Sequence, residues 1–250
     1  MKVAILGCGW LGRALAKRLQ EKHRVCGAVR SDASVQKLRE EKITAFQRPD
    51  KNSAFWDAEV LIISISPRED YLASLEQLPH LLRTSLKQIT LLSSTSVYAG
   101  LEGVVDESTP VQSGSIVAQG EALFQKLFPQ GCIVRLGGLM GENRIAGQRS
   151  AKVLQDSAVN YVHQFDAVGI IEQLIEHNIQ NEIINAVAPK HPKRAEVYTM
   201  NAEAFGFELP LFEEGSERIV AGEKVRVLLG YGYRFEDPMR FWSDTRDRCR

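Results

Sequence analysis

The chain begins with a short apolar segment that runs into three regularly spaced glycines. Residues 2–6 include β-branched side chains, and Gly7, Gly9 and Gly12 follow them with the spacing G-x-G-x-x-G. This spacing, with a helical pattern of leucines after it, predicts a strand, a tight turn and a helix N-terminus. Such a turn presents backbone N–H groups and the positive end of a helix dipole to a phosphate. The sequence therefore predicts a dinucleotide-binding loop, with a plain glycine-rich turn as the alternative.

The three glycines have separate predicted roles. Gly7 permits the tight turn, Gly9 lets a pyrophosphate approach the backbone, and Gly12 lets the helix pack on the strand. The residues of this loop that we expect to contact the cofactor are Gly7, Gly9, Trp10, Leu11 and Gly12.

Composition and charge argue against several classes of function. The 250 residues include 31 basic and 31 acidic side chains, so there is no electrostatic reason to bind nucleic acid or an anionic membrane. An apolar share of 44% is typical of a globular protein. The cysteines lack the spacing of a metal site, and no apolar run is long enough to span a bilayer. We therefore expect a cytoplasmic protein without metal, with reduced thiols at Cys8, Cys26, Cys132 and Cys249.

The end of the second predicted strand, Arg24–Val29, bears on the choice of cofactor. An acid at this point would bind the 2′-hydroxyl of NAD, whereas an arginine suits the 2′-phosphate of NADP. The chain has Arg30 here, with Ser31 as a second hydrogen-bond donor, and Asp32 is expected to cap the next helix. The sequence therefore predicts NADP as the preferred cofactor. NAD, with Arg30 as an exposed loop residue, is the alternative.

Serines close two further predicted strands. Ala58–Ile65 is nearly all apolar, which is typical of a strand buried on both faces of a parallel sheet. Ser64 and Ser66 close it, and Ser93 follows the next predicted strand. Because ligands bind beyond the carboxyl ends of such strands, these three serines are predicted cofactor contacts. Alternating strands and helices predict an α/β fold of the Rossmann type, with a doubly wound parallel sheet.

Several segments together resemble one enzyme family. Ser93–Gly100 reads S-S-T-S-V-Y-A-G, and with the glycine loop it resembles the extended short-chain dehydrogenase/reductase family. That family includes NAD-dependent sugar-nucleotide epimerases and dehydratases. Within it, the chain is most similar to short, atypical bacterial members whose loop reads G-x-G-W-L-G. The other segments that resemble the family, in its order, are Glu107–Pro110, Ile133–Gly141, Asn160–Asp166 and Asn185–Ala188.

The resemblance implies a catalytic Ser or Thr, a Tyr and a Lys. Ser94 matches the first position, where it would hydrogen-bond the reacting oxygen of the substrate. The Tyr-x-x-x-Lys dyad should open the next helix, within Val111–Gln125, but this segment contains neither residue type. If Glu121 matches the acid that follows the dyad, the dyad positions hold Ser113 and Val117.

The missing dyad leaves three alternatives for the function. The protein is an NAD(P)-dependent oxidoreductase or epimerase with a substituted acid, or it catalyses another reaction with a tightly held NADP. Alternatively, it is a catalytically silent NADP-binding sensor or partner protein. Tyr98 is a candidate acid, although the resemblance implies a packing role beside the site. His163 is expected to be a hydrogen-bonded structural residue.

The loop Gly141–Lys152 carries three cations in a glycine-punctuated segment. In the family, the corresponding region closes over the substrate and often holds its phosphate. Arg144, Arg149 and Lys152 are therefore predicted substrate contacts, with a solvated loop as the alternative. The implied substrate is a small molecule, anionic or nucleotide-linked, and the resemblance is compatible with a homodimer.

We expect one NAD(P)-binding domain over residues 1–250. Its core would cover about residues 1–140, and residues 141–165 and 187–250 would form most of a small C-terminal substrate lobe. Within this part of the chain, an amphipathic helix is predicted from Asp166, with that residue as its N-cap, and Gly230 is predicted to stop the last helix.

Overall fold

The computed structural model describes residues 1–68, 70–141, 143–149 and 151–242, and strands alternate with helices along most of this length. The strands are β1 (Lys2–Leu6), β2 (Arg24–Val29), β3 (Thr44–Gln47), β4 (Val60–Ile63), β5 (Gln88–Ser94), β6 (Gly103–Val105), β7 (Cys132–Leu136), β8 (Gly138–Met140), β9 (Val153–Asp156), β10 (Tyr161–His163), β11 (Ile183–Ala186), β12 (Leu211–Glu214) and β13 (Arg218–Val220). The helices are α1 (Trp10–Leu19), α2 (Asp32–Glu40), α3 (Tyr71–Leu81), α4 (Ile116–Leu127), α5 (Gln164–Glu176), α6 (Arg194–Phe205) and α7 (Glu223–Leu229). None of these helices is long and apolar enough to cross a membrane.

Seven strands form a central parallel sheet in the order β3-β2-β1-β4-β5-β7-β11. β1 pairs with β2 on one side and β4 on the other, so that Val3 lies opposite both Val25 and Val60. All four residues of β4 are buried, as its apolar sequence predicts. The α/β prediction of a Rossmann-type sheet is confirmed. The glycine loop after β1 lies where the strand order reverses, which is where such sheets bind their ligands.

The contacts divide the chain into two compact units. The first comprises residues 1–93, 111–135 and 171–184, and it contains most of the central sheet. The second comprises residues 94–110, 136–170 and the described residues from 185 onward. Within the second unit, three short parallel pairs form: β8 with β10, β9 with β12, and β6 with β13.

Each unit has its own apolar core. In the first unit, Phe55, Leu61, Leu75 and Phe124 are among the fully buried side chains packed around the sheet. In the second unit the cluster is rich in aromatic residues, and its buried members are Ala146, Val159, Tyr161, Ala188, Val197, Tyr198, Phe241 and Trp242. Each unit therefore buries apolar surface of its own, which favours its folded state.

The predicted N-cap of α2 is wrong by one residue. Ser31 is the cap: its backbone is extended, and its Oγ accepts a hydrogen bond from the N–H of Ser34. Asp32 is instead the first helical residue, where its carboxylate faces the positive end of the helix dipole. Both residue types suit the cap position, so the sequence alone did not distinguish them.

The predicted start of α5 at Asp166 is also wrong. The helix begins at Gln164, and Asp166 is fully buried within the first turn. Its carboxylate accepts hydrogen bonds from the N–H groups of Arg234 and Phe235 and from the Tyr231 hydroxyl, at 2.9–3.0 Å. Burial raises the pKa of this carboxyl despite these donors. Asp166 therefore anchors the C-terminal segment of the second unit. In agreement with prediction, α7 ends at Gly230, which is left-handed with φ 62°.

Candidate functional site

The glycine turn after β1 is fixed by contacts that exclude a side chain at Gly7. Its φ is +85°, and an added Cβ would lie 2.6 Å from the carbonyl oxygen of Ser64. The N–H groups of Gly7 and Cys8 both donate to the carbonyl of Ala28, at 3.0 and 2.9 Å. The turn is thus held against the ends of β2 and β4. Only glycine fits this backbone conformation without strain.

Gly9 leaves the start of α1 open. It is exposed, and an added Cβ would meet nothing closer than the Gly7 carbonyl oxygen at 3.8 Å. Gly9 is also the N-cap of α1, so no side-chain cap occupies the helix terminus, and the first turn contains no acidic residue. At Gly12 an added Cβ would lie 3.2 Å from Cγ2 of Ile5, which keeps helix and strand in close contact. An uncovered helix N-terminus of this kind binds phosphate.

The Cys8 thiol does not contribute chemistry to this loop. The residue is 1% exposed, and burial raises the pKa of its thiol to about 12. A thiol that stays protonated near neutral pH is a poor nucleophile. Cys8 is therefore a small core residue.

Two arginines stand at neighbouring strand ends in the first unit. Arg30 follows β2 and is exposed, and its Nη1 lies 3.7 Å from Oδ2 of Asp70, which is also exposed. An exposed ion pair of this kind contributes little to stability, so an anionic ligand can replace Asp70 as the partner of Arg30. Arg48 follows β3, is exposed, and donates its backbone N–H to the carbonyl of Val29 at 3.1 Å. Arg48 was not singled out from the sequence, although its position as a basic residue directly after the third strand is a usable sequence signal.

The three predicted serine contacts differ in their surroundings. Ser64 is partly buried at the end of β4, and Ser66 just beyond it is exposed. Ser93 is 7% exposed, and its hydroxyl donates to Oε1 of Glu121. The side chain of Ser93 is therefore engaged inside the first unit, whereas Ser64 and Ser66 lie at a strand end where a solute can reach them.

Ser94 and Tyr98 lie on either end of a short 3₁₀ helix in the second unit. Oγ of Ser94 accepts a hydrogen bond from the N–H of Ser96 at 3.1 Å and caps this helix. The bond uses a lone pair of the oxygen, so the hydroxyl proton remains able to donate. Tyr98 is fully buried, with its hydroxyl 2.7 Å from the carbonyl oxygen of Asp106 and 3.0 Å from Oδ1 of Asn185. Its environment is that of a packing residue, which the resemblance implies.

The two positions where the dyad is expected lie at the start of α4. Ser113 is exposed and precedes the helix, whose N-cap is Ser115. Val117 is in the first turn and is partly buried. Glu121, one turn later, is 2% exposed and paired with Arg135. No tyrosine or lysine side chain starts this helix, so it has no phenol and ammonium pair.

His163 has a structural environment. It is 8% exposed, its Nδ1 accepts a hydrogen bond from the N–H of Phe165 at 3.1 Å, and its ring stacks on Phe235 at 3.8 Å. This agrees with the interpretation drawn from the sequence.

The cationic loop is exposed where it is described. Arg144, Arg149 and Lys152 all lie at the surface of the second unit, and Arg144 forms a short backbone bridge with Gly141. The Gly141 carbonyl also accepts a hydrogen bond from Nε1 of Trp242 at 3.0 Å. Their role as substrate contacts stays a prediction.

Comparison with known structures supports the fold across the whole chain. A functionally unknown conserved protein from Silicibacter pomeroyi DSS aligns with a TM-score of 0.85 and 18% identity over 99% of both chains. UDP-glucuronic acid 4-epimerase from Bacillus cereus, in complex with NAD, gives a TM-score of 0.76 at 16% identity over 100% of this chain and 99% of that one. Human epimerase family protein SDR39U1 with NADPH gives 0.72 at 17% identity over 98% of both.

Two comparisons of sequence complete the assignment. Residues 2–93 match the family described as "NADP oxidoreductase coenzyme F420-dependent". Over nearly the whole chain, the match is to Protein YeeZ of Escherichia coli strain K12, which is 32% identical over 267 aligned residues covering 95% of this chain and 97% of that protein. At that identity and coverage, the chain belongs to the family of Protein YeeZ.

Proposed function

We propose that this protein binds NADP on the loop Gly7–Gly12 and belongs to the atypical extended short-chain dehydrogenase/reductase class, as an oxidoreductase or epimerase-like protein. The observation that carries the proposal is the open helix terminus at Gly9. A Cβ at Gly7 or Gly12 would meet protein atoms at 2.6 or 3.2 Å, whereas a Cβ at Gly9 would meet only the Gly7 carbonyl oxygen, at 3.8 Å. The space beside Gly9 is where a pyrophosphate needs to approach the backbone.

The preference for NADP rests on Arg30, with Arg48 as a second cation. Both side chains are exposed, and the backbone hydrogen bond from Arg48 to Val29 brings the ends of β2 and β3 together. A 2′-phosphate would gain two charge-assisted contacts there, whereas the 2′-hydroxyl of NAD would gain none of comparable strength. The human relative in fold was solved with NADPH, and the matching family description also names NADP, in support of this choice.

A bound NADPH would supply a hydride from C4 of its nicotinamide. Among this chain's own residues, the backbone of Gly7–Gly12 would hold the pyrophosphate, and Arg30 would hold the 2′-phosphate. Ser94 would donate its hydroxyl proton to the reacting oxygen of a small-molecule substrate. That proton is available because the hydroxyl oxygen only accepts in its hydrogen bond with the N–H of Ser96.

A catalytically silent, NADP-binding protein is the second candidate. It is favoured by the start of α4, where Ser113 and Val117 occupy the positions of the usual proton shuttle if Glu121 matches the acid that follows the dyad. Neither side chain titrates near neutral pH, so neither replaces a phenolate and an ammonium group.

Calorimetric titration of the purified protein with NADPH and NADH tests the proposed cofactor. We expect NADPH to bind at least about tenfold more tightly, and Arg30→Gln to remove most of that difference. Arg24→Gln is the matched control, because Arg24 is an exposed arginine at the opposite end of the same strand. Equal affinity for both cofactors, or tighter binding of NADH, would overturn the preference for NADP.

Single-turnover oxidation of bound NADPH separates the two candidate functions. The panel would contain aldehydes, ketones and nucleotide sugars, and Ser94→Ala would serve as the matched variant. Oxidation that slows about a hundredfold in Ser94→Ala supports the enzyme. Clear binding of NADPH with no oxidation by any member of the panel supports the silent protein.

A further inference from the structure

Two arginines in the second unit have no carboxylate partner among the residues that the structure describes. Arg218 is the first residue of β13 and is partly buried. Its Nη1 donates to the carbonyl oxygen of Tyr98 at 2.9 Å, which fixes the plane of the guanidinium. Its Nε is buried and meets no acceptor among the described residues. A buried donor without an acceptor is costly, so this atom points to a missing partner.

Arg194 lies near Arg218 and adds a second positive charge. Its N–H donates to the carbonyl of Ser157, and the next N–H, that of Ala158, donates to the carboxylate of Glu217 beside Arg218, both at 3.0 Å. Arg194 is the first residue of α6 and is partly buried, and its Nη1 donates to the carbonyl of Gln155. Burial and the charge of Arg194 together hold the pKa of Arg218 below its ordinary value. Two positive charges at close range in a partly buried site repel each other. An anion bound between them would offset this repulsion.

Two buried phenols lie beside Arg194. The hydroxyls of Tyr161 and Tyr198 are 3.3 Å apart, and the two residues are 9% and 8% exposed. Burial raises the pKa of Tyr161, and the nearby guanidinium of Arg194 opposes that shift. The guanidinium of Arg194 therefore lies between the buried Tyr161 hydroxyl and the carbonyl of the exposed residue Gln155.

The neighbouring carboxylates are engaged elsewhere. Glu217 pairs with Nζ of Lys193 and accepts the N–H of Ala158 at 3.0 Å. Oδ1 of Asp156 accepts the N–H of Ala195 at 2.9 Å. Within the described part of the chain, no carboxylate oxygen lies within 4.0 Å of a nitrogen of Arg194 or Arg218. Two partly buried guanidinium groups thus receive no counter-charge from the described residues.

We propose that Arg218 and Arg194 bind an anionic oxygen group, a phosphate or a carboxylate, carried by the substrate. A guanidinium donates two parallel N–H bonds to either group, and both interactions strengthen when the site is partly desolvated. The inference names a substrate class for the proposed function and rests on it in calling the anion part of a substrate. It also differs from the site predicted at Arg144, Arg149 and Lys152, whose side chains are exposed.

Calorimetric titration with inorganic phosphate, pyrophosphate and malonate at constant ionic strength tests this site. Pyrophosphate and phosphate report a phosphate site, and malonate reports a carboxylate site. We expect one of these classes to bind the wild-type protein, and both Arg218→Gln and Arg194→Gln to weaken that binding at least about tenfold. Arg218→Lys, which keeps the charge but loses the fork, should weaken it less.

One surface variant provides the control, and a second tests the rival site. Arg226→Gln removes an exposed arginine from α7 of the same unit and is expected to bind the anion like the wild-type protein. Arg149→Gln removes an exposed arginine from the cationic loop, where the sequence predicts substrate contacts, and a smaller loss of anion affinity than in Arg218→Gln supports the proposal. If Arg226→Gln loses as much anion affinity as Arg218→Gln, the attraction is nonspecific and the proposal is overturned. If only Arg149→Gln loses anion affinity, the anion binds at the cationic loop and the proposal is overturned as well.

NADPH affinity of the same variants keeps the two proposals apart. Arg218→Gln and Arg194→Gln should bind NADPH like the wild-type protein, because neither side chain is among the residues proposed to hold the cofactor. Unfolding in urea confirms that each variant is folded. If the wild-type protein binds none of the three anions at millimolar concentration, the anion site is refuted, whatever the result with NADPH.

Discussion

Arg135 and Glu121 form a two-pronged ion pair in which the side chains are only 4% and 3% exposed. Nε of Arg135 lies 3.1 Å from both carboxylate oxygens, and Nη2 donates to Oε2 at 2.7 Å. The Ser93 hydroxyl donates to Oε1 of the same carboxylate. The pair thereby ties α4 to β7 and to the end of β5 within the first unit. Removing either charge would leave the other buried without this counter-charge.

Glu121→Gln is expected to destabilise the protein by about 3–5 kcal/mol, because the Arg135 guanidinium would stay buried beside a neutral amide. The free energy of unfolding in urea, followed by circular dichroism, measures the change. Lys87→Met is the control: it removes an ion pair with Glu59 in which the lysine is 68% exposed, and should cost less than about 1 kcal/mol. The double variant Glu121→Leu with Arg135→Met should recover much of the loss. Equal costs for Glu121→Gln and Lys87→Met would contradict this account of the pair.

Gly7 and Gly9 are expected to respond differently to the same substitution. Gly7→Ala should destabilise the protein by about 1–3 kcal/mol, because φ is +85° and the new Cβ would lie 2.6 Å from the Ser64 carbonyl oxygen. Gly9→Ala should stay within about 1 kcal/mol of the wild-type stability, since its Cβ has no close neighbour. It should nevertheless weaken NADPH binding at least about tenfold by narrowing the approach to α1. Urea unfolding and calorimetric titration measure the two effects. Wild-type affinity for NADPH in Gly9→Ala would argue against a cofactor at this terminus.

Gly120 sets the distance between α3 and α4. An added Cβ there would lie 2.2 Å from Cε1 of Tyr71, whose side chain is 2% exposed and cannot move away freely. Gly120→Ala should therefore cost about 1–3 kcal/mol in the free energy of unfolding. Gly114→Ala is the matched control, because nothing lies within 4 Å of the added atom. It should change stability by less than about 1 kcal/mol. If the variant Gly120→Ala with Tyr71→Leu regains no stability, the clash is not the cause.

The sequence predicted those features that depend on neighbouring residues. The glycine loop, the apolar strand that became β4 and the stop at Gly230 each follow from local spacing or from backbone freedom, and the structure agrees with them. Asp166 was misassigned because its partners, Tyr231 and Arg234, stand 65 and 68 residues later in the chain. A carboxylate at the start of a helix looks the same in sequence whether it caps that helix or anchors a distant segment.

The residues of the candidate anion site were missed for the same physical reason. Arg194 and Arg218 are 24 positions apart, and each is unremarkable within its own segment. Tertiary structure brings them together and leaves Nε of Arg218 without an acceptor among the described residues. The exposed loop cations form a recognisable group in the sequence because they are close together there, yet closeness in sequence does not bury a charge. Burial and the lack of a counter-charge are visible only in three dimensions.

Stability should fall at alkaline pH because two buried thiols resist ionisation. Burial raises the pKa of Cys8 to about 12 and that of Cys26 to about 11, from an ordinary value of 9.0. The unfolded chain therefore loses these protons from about pH 9 upward, whereas the folded chain keeps them. The contribution of these thiols to the free energy of unfolding is fully present below pH 9. It is lost by about 1.4 kcal/mol per pH unit for each thiol as the pH rises toward the pKa that the thiol has in the folded protein.

Urea unfolding at about pH 8 and about pH 10.5 measures the fall in stability. In Cys8→Ala this fall should be smaller than in the wild-type protein by about 2 kcal/mol. Val25→Ala, which truncates a buried side chain without a titrating group, should show the full wild-type fall. If Cys8→Ala shows the same fall as Val25→Ala, the Cys8 thiol ionises in the folded protein as readily as in the unfolded chain.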